Sequence, residues 1–177
     1  MCSIDPVIVS LMLSSVLPLE LAQDMYENKG DMERLKHSAV LLTFIFSQGE
    51  PAPVHYMEQQ LGPSFVAFAL DNIEHQPGAD TEDEIPDSFL AMLASYNLQF
   101  ADTATNLVLR GLAASESAKV FTEKLLLLLN REEDPAASLA PRPDKVNSIH
   151  KLVLDVFSSD GCVQHFYTND IMVSAGR

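Results

Sequence analysis

Three consecutive carboxylates, Glu132, Glu133 and Asp134, form a candidate group for acid–base chemistry. Neighbouring carboxylates can act as general acid and general base when burial separates their pKa values. These three follow Arg131 and precede Pro135, a residue that cannot continue a helix, so the sequence places them past a helix end and in water. The pattern favours a solvated turn over an active site.

The histidines and cysteines do not form a metal-binding pattern. None of the histidines belongs to a ligand signature with a cysteine, another histidine or a carboxylate. They are His37, His55, His75, His150 and His165. Cys2 and Cys162 stand at opposite ends of the chain, so they indicate neither a disulfide framework nor a zinc site, and they suit a reducing compartment. We therefore expect no metal and no cofactor.

The motifs of phosphate binding and nucleophilic catalysis are also missing. The sequence contains neither a glycine-rich dinucleotide or nucleotide loop nor the Gly-x-Ser-x-Gly elbow of hydrolases. Its nine phenylalanines and four tyrosines fall mostly at core spacing, which favours packing over base stacking. We expect a protein that is not an enzyme and takes no small-molecule substrate.

The charge balance narrows the possible partners. The chain has 11 basic and 25 acidic residues, a net charge of −14, which argues against binding of nucleic acid and of anionic lipid. A basic partner surface is the natural counterpart, although solubility alone also accounts for such an excess. The acidic stretch 76–84 is predicted to be a solvated loop rather than a docking strip for a basic partner.

The apolar run near the start of the chain, residues 7–17, does not predict secretion or membrane insertion. No Lys or Arg precedes it, and Pro18 and Glu20 follow it, so it makes a poor signal peptide. Runs of the length needed to span a bilayer do not occur. We expect a soluble, cytoplasmic protein.

The elements that position these residues are predicted to be helices, and the most distinctive is Lys119–Asn130. It contains five consecutive leucines, Leu125 to Leu129, and at about 100° per residue they cover the whole helix circumference. The run therefore predicts a helix enclosed on at least two faces, so that Leu127→Asp would unfold the domain. Ser115 or Ser117 is the expected N-cap, and Asn130 the expected closing residue.

The remaining chain shows helical periodicity throughout, with starts marked by Asp, Asn or Pro. Predicted helices begin at Asp5-Pro6, Pro18, Asp31, His55, Pro63, Ile85, Asp102 or Thr103, and Lys145, and a shorter segment covers 160–173. Gln48–Pro53 and residues 137–144 are predicted connections. The chain is therefore predicted to be one all-α domain, 1–173, with a frayed tail, 174–177. We expect an irregular armadillo-like array, with a compact helical bundle as the alternative.

Three stretches, in order, resemble one family: DPVIVSLMLSSVLPLELAQDM (Asp5–Met25), KVFTEKLLLLLNREEDP (Lys119–Pro135) and LDVFSSDGCVQHFYTNDIMV (Leu154–Val173). They are similar to the C-terminal leucine-rich, armadillo-like domain of the NCK-interacting protein with SH3 domain, the WISH/DIP family. In the FYTND motif, residues 166–170, we expect Phe166 and Tyr167 to be core residues and Thr168 to be an N-cap.

The resemblance implies a non-enzymatic activator of the actin-related protein 2/3 complex, located at the actin cytoskeleton. Family members switch that complex on without a preformed mother filament, so that it nucleates a linear filament. The family's SH3 domain and proline-rich segments are absent from this sequence, so adaptor binding is not implied. Family chains also continue beyond the FYTND motif, so the resemblance implies a chain truncated at its C-terminus. The alternative is a binding or scaffold module that does not activate nucleation. The resemblance identifies no partner-binding residue.

Overall fold

The computed structural model describes residues 5–75, 84–116, 118–139 and 146–166 of the 177-residue chain. Its helices are α1 (Pro6–Leu13), α2 (Leu17–Glu27), α3 (Met32–Gln48), α4 (Val54–Gln60), α5 (Pro63–Glu74), α6 (Glu84–Asn97), α7 (Leu107–Ala113), α8 (Lys119–Asn130), α9 (Pro135–Leu139), α10 (Ser148–Phe157) and α11 (residues 160–166). A 3₁₀ turn at Thr103–Thr105 precedes α7. No strand occurs in these ranges, which confirms the all-α prediction.

Most helix starts lie where the sequence predicts them, because an N-cap is a local signal. The Asp5 carboxylate accepts a hydrogen bond from Val7 N at 2.9 Å, and the Asp31 carboxylate accepts one from Arg34 N at 3.1 Å. The observed helix ends differ more from the sequence than the starts do. α1 ends at Leu13, although the apolar run continues to Leu17, and α2 ends at Glu27 with Asn28 as its C-cap.

The central helix of the fold is α6. It contacts α3, α5, α7, α8, α9 and α10, and every residue from Phe89 to Asn97 is buried. Its Tyr96 ring packs against Phe46, Phe65 and Phe100, and its hydroxyl donates to Leu61 O at 2.7 Å. The helix enclosed on all sides is therefore α6.

The prediction that the leucine run is enclosed is wrong. Leu125 is fully buried, but Leu126 and Leu127 are exposed, and Leu128 and Leu129 are only partly covered. α8 contacts α5, α6 and α10 with one side and leaves the other side open. Consequently Leu127→Asp is not expected to unfold the domain.

The ends of α8 also differ from the prediction. Its N-cap is Ala118, which makes no side-chain cap bond, and the Glu74 carboxylate of α5 accepts from Val120 N at 3.2 Å and Phe121 N at 2.9 Å instead. Ser115 is not the cap, and Ser117 lies outside the described residues. At the other end the left-handed residue is Glu132, with φ 56°, not Asn130.

Three further boundaries differ from the prediction, and some predicted segments lie outside the described residues. Asp102 caps only the 3₁₀ turn, and α7 is capped by Asn106. The predicted connection 137–144 starts inside the helix α9, which extends to Leu139, and α10 starts at Ser148 rather than Lys145. Phe166 is buried as predicted. The acidic stretch 76–83, residues 140–145, the rest of the FYTND motif and the tail 174–177 lie outside the described residues.

One membrane-related finding concerns the first two helices. Among the described residues no single helix is long and apolar enough to cross a bilayer, and α1 with α2 meets that test only as a pair bent by 53°.

Helices α5 and α7 approach so closely that one contact position requires glycine. A Cβ atom added to Gly111 would lie 2.6 Å from Val66 Cβ, far inside ordinary contact distance. Val66 Cβ is fixed to the backbone of α5, so no rotamer change relieves this clash.

We expect Gly111→Ala to lower the free energy of unfolding by about 2 kcal/mol. The overpacking penalty of about 3 kcal/mol exceeds the helix-propensity gain of about 1 kcal/mol. Denaturant unfolding measures the change. Gly30→Ala is the matched control, because nothing lies within 4 Å of its added Cβ, and its stability should stay within about 1 kcal/mol of the wild type. Equal losses for both variants would contradict the close contact.

Candidate functional site

The carboxylates that follow α8 do not form a reaction centre. Glu132 and Glu133 are exposed, as the turn interpretation predicts. Asp134 is partly buried, and its carboxylate accepts from Ala136 N and Ser148 N at 3.0 Å and from Ser148 Oγ at 2.6 Å. It therefore fixes the starts of α9 and α10 and has a structural role that the sequence did not indicate.

The histidines are dispersed over the molecule. His37, His55, His75 and His150 are exposed, and His75 Nδ1 lies 3.0 Å from Asp71 Oδ1 on the same helix. His165 is partly buried, with Nε2 2.9 Å from Leu112 O. Within the described residues no group of three His, Cys, Asp or Glu could hold a metal ion.

The buried thiol and the buried phenol serve packing. Cys162 Sγ donates to Leu109 O at 3.3 Å, and burial raises the pKa of the thiol, so the nucleophilic thiolate is disfavoured. Burial also raises the pKa of Tyr96 far above its ordinary value, and its hydroxyl remains a hydrogen-bond donor. Cys2 lies outside the described residues.

A shallow cleft lies between α5 and the end of α7. Its volume is about 490 Å³, and Pro63, Ala67, Leu70, Gly111 and Ala114 supply much of its lining. Two of its polar groups already have partners: Glu74 caps α8, and His75 pairs with Asp71. The cleft lies where α5 and α7 approach closely, and it offers a concave surface.

The positive charges of the described surface are mostly neutralised within the molecule. Four ion pairs have nitrogen–oxygen distances of 2.6 to 2.8 Å, and a further pair joins Lys151 to Asp155. The four are Arg34–Asp24, Lys36–Glu84, Arg110–Glu58 and Lys124–Asp87. Because the cations are used in these pairs, the excess of carboxylates dominates the outer surface, and a basic partner fits it.

Most of the exposed large apolar side chains among the described residues fall into two sets, and both are candidates for protein contacts. The first, the α1–α2 surface, comprises Val7, Ile8, Leu11, Met12, Val16 and Leu19. The second, the α8–α10 set, comprises Leu126, Leu127, Leu139, Val146, Leu154 and Phe157. Sequence reasoning identified neither set as exposed, and it placed Leu126 and Leu127 in an enclosed helix.

The family described as SPIN90/Ldb17, leucine-rich domain, matches residues 82–174, which is more than half of the chain. The match contains the leucine run and the FYTND motif and covers helices α6 to α11.

Proposed function

The chain belongs to the SPIN90/Ldb17 leucine-rich domain family, and on this basis we propose that it is a non-enzymatic regulator of actin assembly. The match agrees with the resemblance to the NCK-interacting family. That resemblance suggests the specific partner and the way in which the chain acts on it. The partner is the actin-related protein 2/3 complex, which this chain activates without a preformed mother filament. The site of action is the cytoplasmic actin cytoskeleton.

The observation that carries this proposal is the family match over α6 to α11. The physical character of the surface supports it, since exposed apolar side chains supply contact area and the acidic excess suits a basic partner. A helical body packed around a buried α6 binds with little loss of conformational freedom. Such a body activates by binding the active arrangement of its partner more tightly than the inactive one.

A pyrene-actin assembly assay tests the proposal. With purified actin-related protein 2/3 complex and no preformed filaments, we expect the chain to shorten the lag before polymerisation in proportion to its concentration. The controls omit the complex or the chain, and neither alone should shorten the lag. If the chain neither accelerates assembly nor retains the complex in a pull-down, the proposal is wrong.

A second candidate function is partner binding without activation. The two exposed apolar sets favour it, because they provide contact area whether or not the partner changes shape. Retention of the complex in a pull-down, combined with an unchanged lag, would select this function. The chain would then act as a scaffold or as a competitor of activating family members.

A further inference from the structure

The outward face of α1 is apolar along its whole length. Val7 and Leu11 are 64% and 65% exposed, and Ile8 and Met12 are exposed beside them. At about 100° per residue these four side chains fall within one arc of roughly 140°, so they form a continuous stripe. Val9 and Leu13, on the opposite face, are buried.

The stripe continues onto α2 across the bend between the two helices. Val16, the N-cap residue of α2, and Leu19 in its first turn are exposed. Four exposed hydrophobic side chains of α1 and two of this continuation thus follow one another along the chain, with no charged residue between Pro6 and Leu19. A helix that is apolar on both faces is ordinarily covered on both.

The α1–α2 surface is held in place by the rest of the molecule. The Tyr56 hydroxyl lies 2.8 Å from both Ser14 O and Ser15 O in the turn between the helices. Leu13 packs so tightly against the end of α3 that a Cβ on Gly49 would lie 2.8 Å from its Cδ2. The surface is therefore preformed, which lowers the entropic cost of binding.

Carboxylates border this apolar surface on two sides. Glu20 follows Leu19 directly on α2 and is exposed. Glu50 is also exposed, and its backbone N–H donates to Ser10 Oγ at 3.3 Å, which places it beside α1. No Lys or Arg occurs in residues 5–28, so no basic side chain from these two helices offsets the acidic border.

We propose that the α1–α2 surface binds an amphipathic helix of the partner whose apolar stripe is flanked by lysine or arginine. An apolar stripe with i, i+3 and i+4 anchors fits the exposed row, and basic flanks fit the carboxylates. This inference rests on the proposed function, because it places that helix in the actin-related protein 2/3 complex.

The acidic border excludes the simpler occupants of this surface. A second copy of the chain would bring its own Glu20 and Glu50 against the same carboxylates, and like charges repel. An anionic bilayer is opposed by the same border and by the net charge of −14. The α8–α10 set carries no comparable argument, because nothing in the described residues shows what covers it.

A matched pair of double variants tests the inference against purified actin-related protein 2/3 complex. In Val7→Gln with Leu11→Gln, two side chains of the surface become polar. In Met32→Gln with Leu41→Gln, the same change is made at two α3 positions that are 42% and 52% exposed and belong to neither apolar set. We expect the first double variant to bind about tenfold more weakly and the second to match the wild type. Glu20→Gln with Glu50→Gln should also weaken binding and reduce its dependence on salt.

The outcomes separate this inference from the proposed function. If the wild type does not bind the complex, the proposed function is wrong and this inference falls with it. If the wild type binds and the α1–α2 variants bind equally well, only the inference is overturned. Loss of dimerisation in sedimentation, or of binding to anionic vesicles, with unchanged binding to the complex, would overturn it in favour of those occupants. If Val7→Gln with Leu11→Gln alters the melting temperature, the charge variant Glu20→Gln with Glu50→Gln decides whether the α1–α2 surface binds the complex.

Discussion

Leu125→Asp is expected to unfold the protein, whereas Leu127→Asp, two positions along the same helix, is expected to leave it folded. Leu125 is 0% exposed and Leu127 is 45% exposed. A carboxylate at position 125 would lose its water without gaining a partner, and the leucine contacts would be lost as well, at a total cost above about 4 kcal/mol. That is comparable with the whole stability of a typical domain.

At position 127 the new carboxylate stays in water. Its expected cost is about 1 kcal/mol, which combines lower helix propensity with the loss of partial leucine burial. Circular dichroism during denaturant unfolding measures both variants. Leu125→Ala and Leu127→Ala serve as controls, with expected losses of about 3 kcal/mol and below about 1 kcal/mol. Similar losses at the two positions would show that the outer face of α8 is covered in solution.

The leucine run shows why composition alone did not predict burial. Lys119, Glu123 and Asn130 fall on the same face of α8 as Leu126 and Leu127, at intervals of three, four and seven residues. These polar residues identify the outward face of α8. The pattern is hard to recognise because five consecutive leucines place apolar side chains on every face of the helix. The truly enclosed helix, α6, has its charged residues only in its first turn.

Helix starts were predictable where the cap is local, and not where it comes from elsewhere in the fold. Asp5 and Asp31 cap their own helices, and the sequence identified both. The start of α8 is capped by Glu74, more than forty residues earlier in the chain, so no local pattern records it. The sequence prediction named Asp102 or Thr103 and did not consider Asn106, which is an equally good cap, and only the fold decides which of them starts α7.

The exposed apolar surfaces could not be predicted from the sequence for a related reason. Sequence periodicity identifies Val7, Ile8, Leu11 and Met12 as apolar helix positions, but in α1 both faces are apolar. Which face packs is decided by the neighbouring helices α2 and α3, which cover Val9 and Leu13. The family resemblance came from residue identity in specific stretches, a source of information independent of burial, and it agrees with the family match.

Asn106→Ala is expected to cost about 3 kcal/mol, because this fully buried side chain joins three helices. Its Oδ1 accepts from Val108 N at 3.0 Å and Leu109 N at 3.3 Å, and its Nδ2 donates to Asn97 Oδ1 at 2.7 Å. Asn97 in turn donates to Asp155 of α10 at 2.8 Å. Removal loses an N-cap, about 1 kcal/mol, and leaves buried polar atoms unsatisfied, about 2 kcal/mol.

The exposed cap Asp102 provides the comparison for Asn106. Its carboxylate accepts from Ala104 N at 3.0 Å at the surface, where water can replace it, so Asp102→Ala should cost below about 1 kcal/mol. Combining Asn106→Ala with Asn97→Ala should cost less than the two separate losses by about 1 to 2 kcal/mol, since the second change removes the acceptor that the first leaves unpaired. Strict additivity in denaturant unfolding would mean that the two amides do not interact, and that α7 is held to α6 by apolar packing alone.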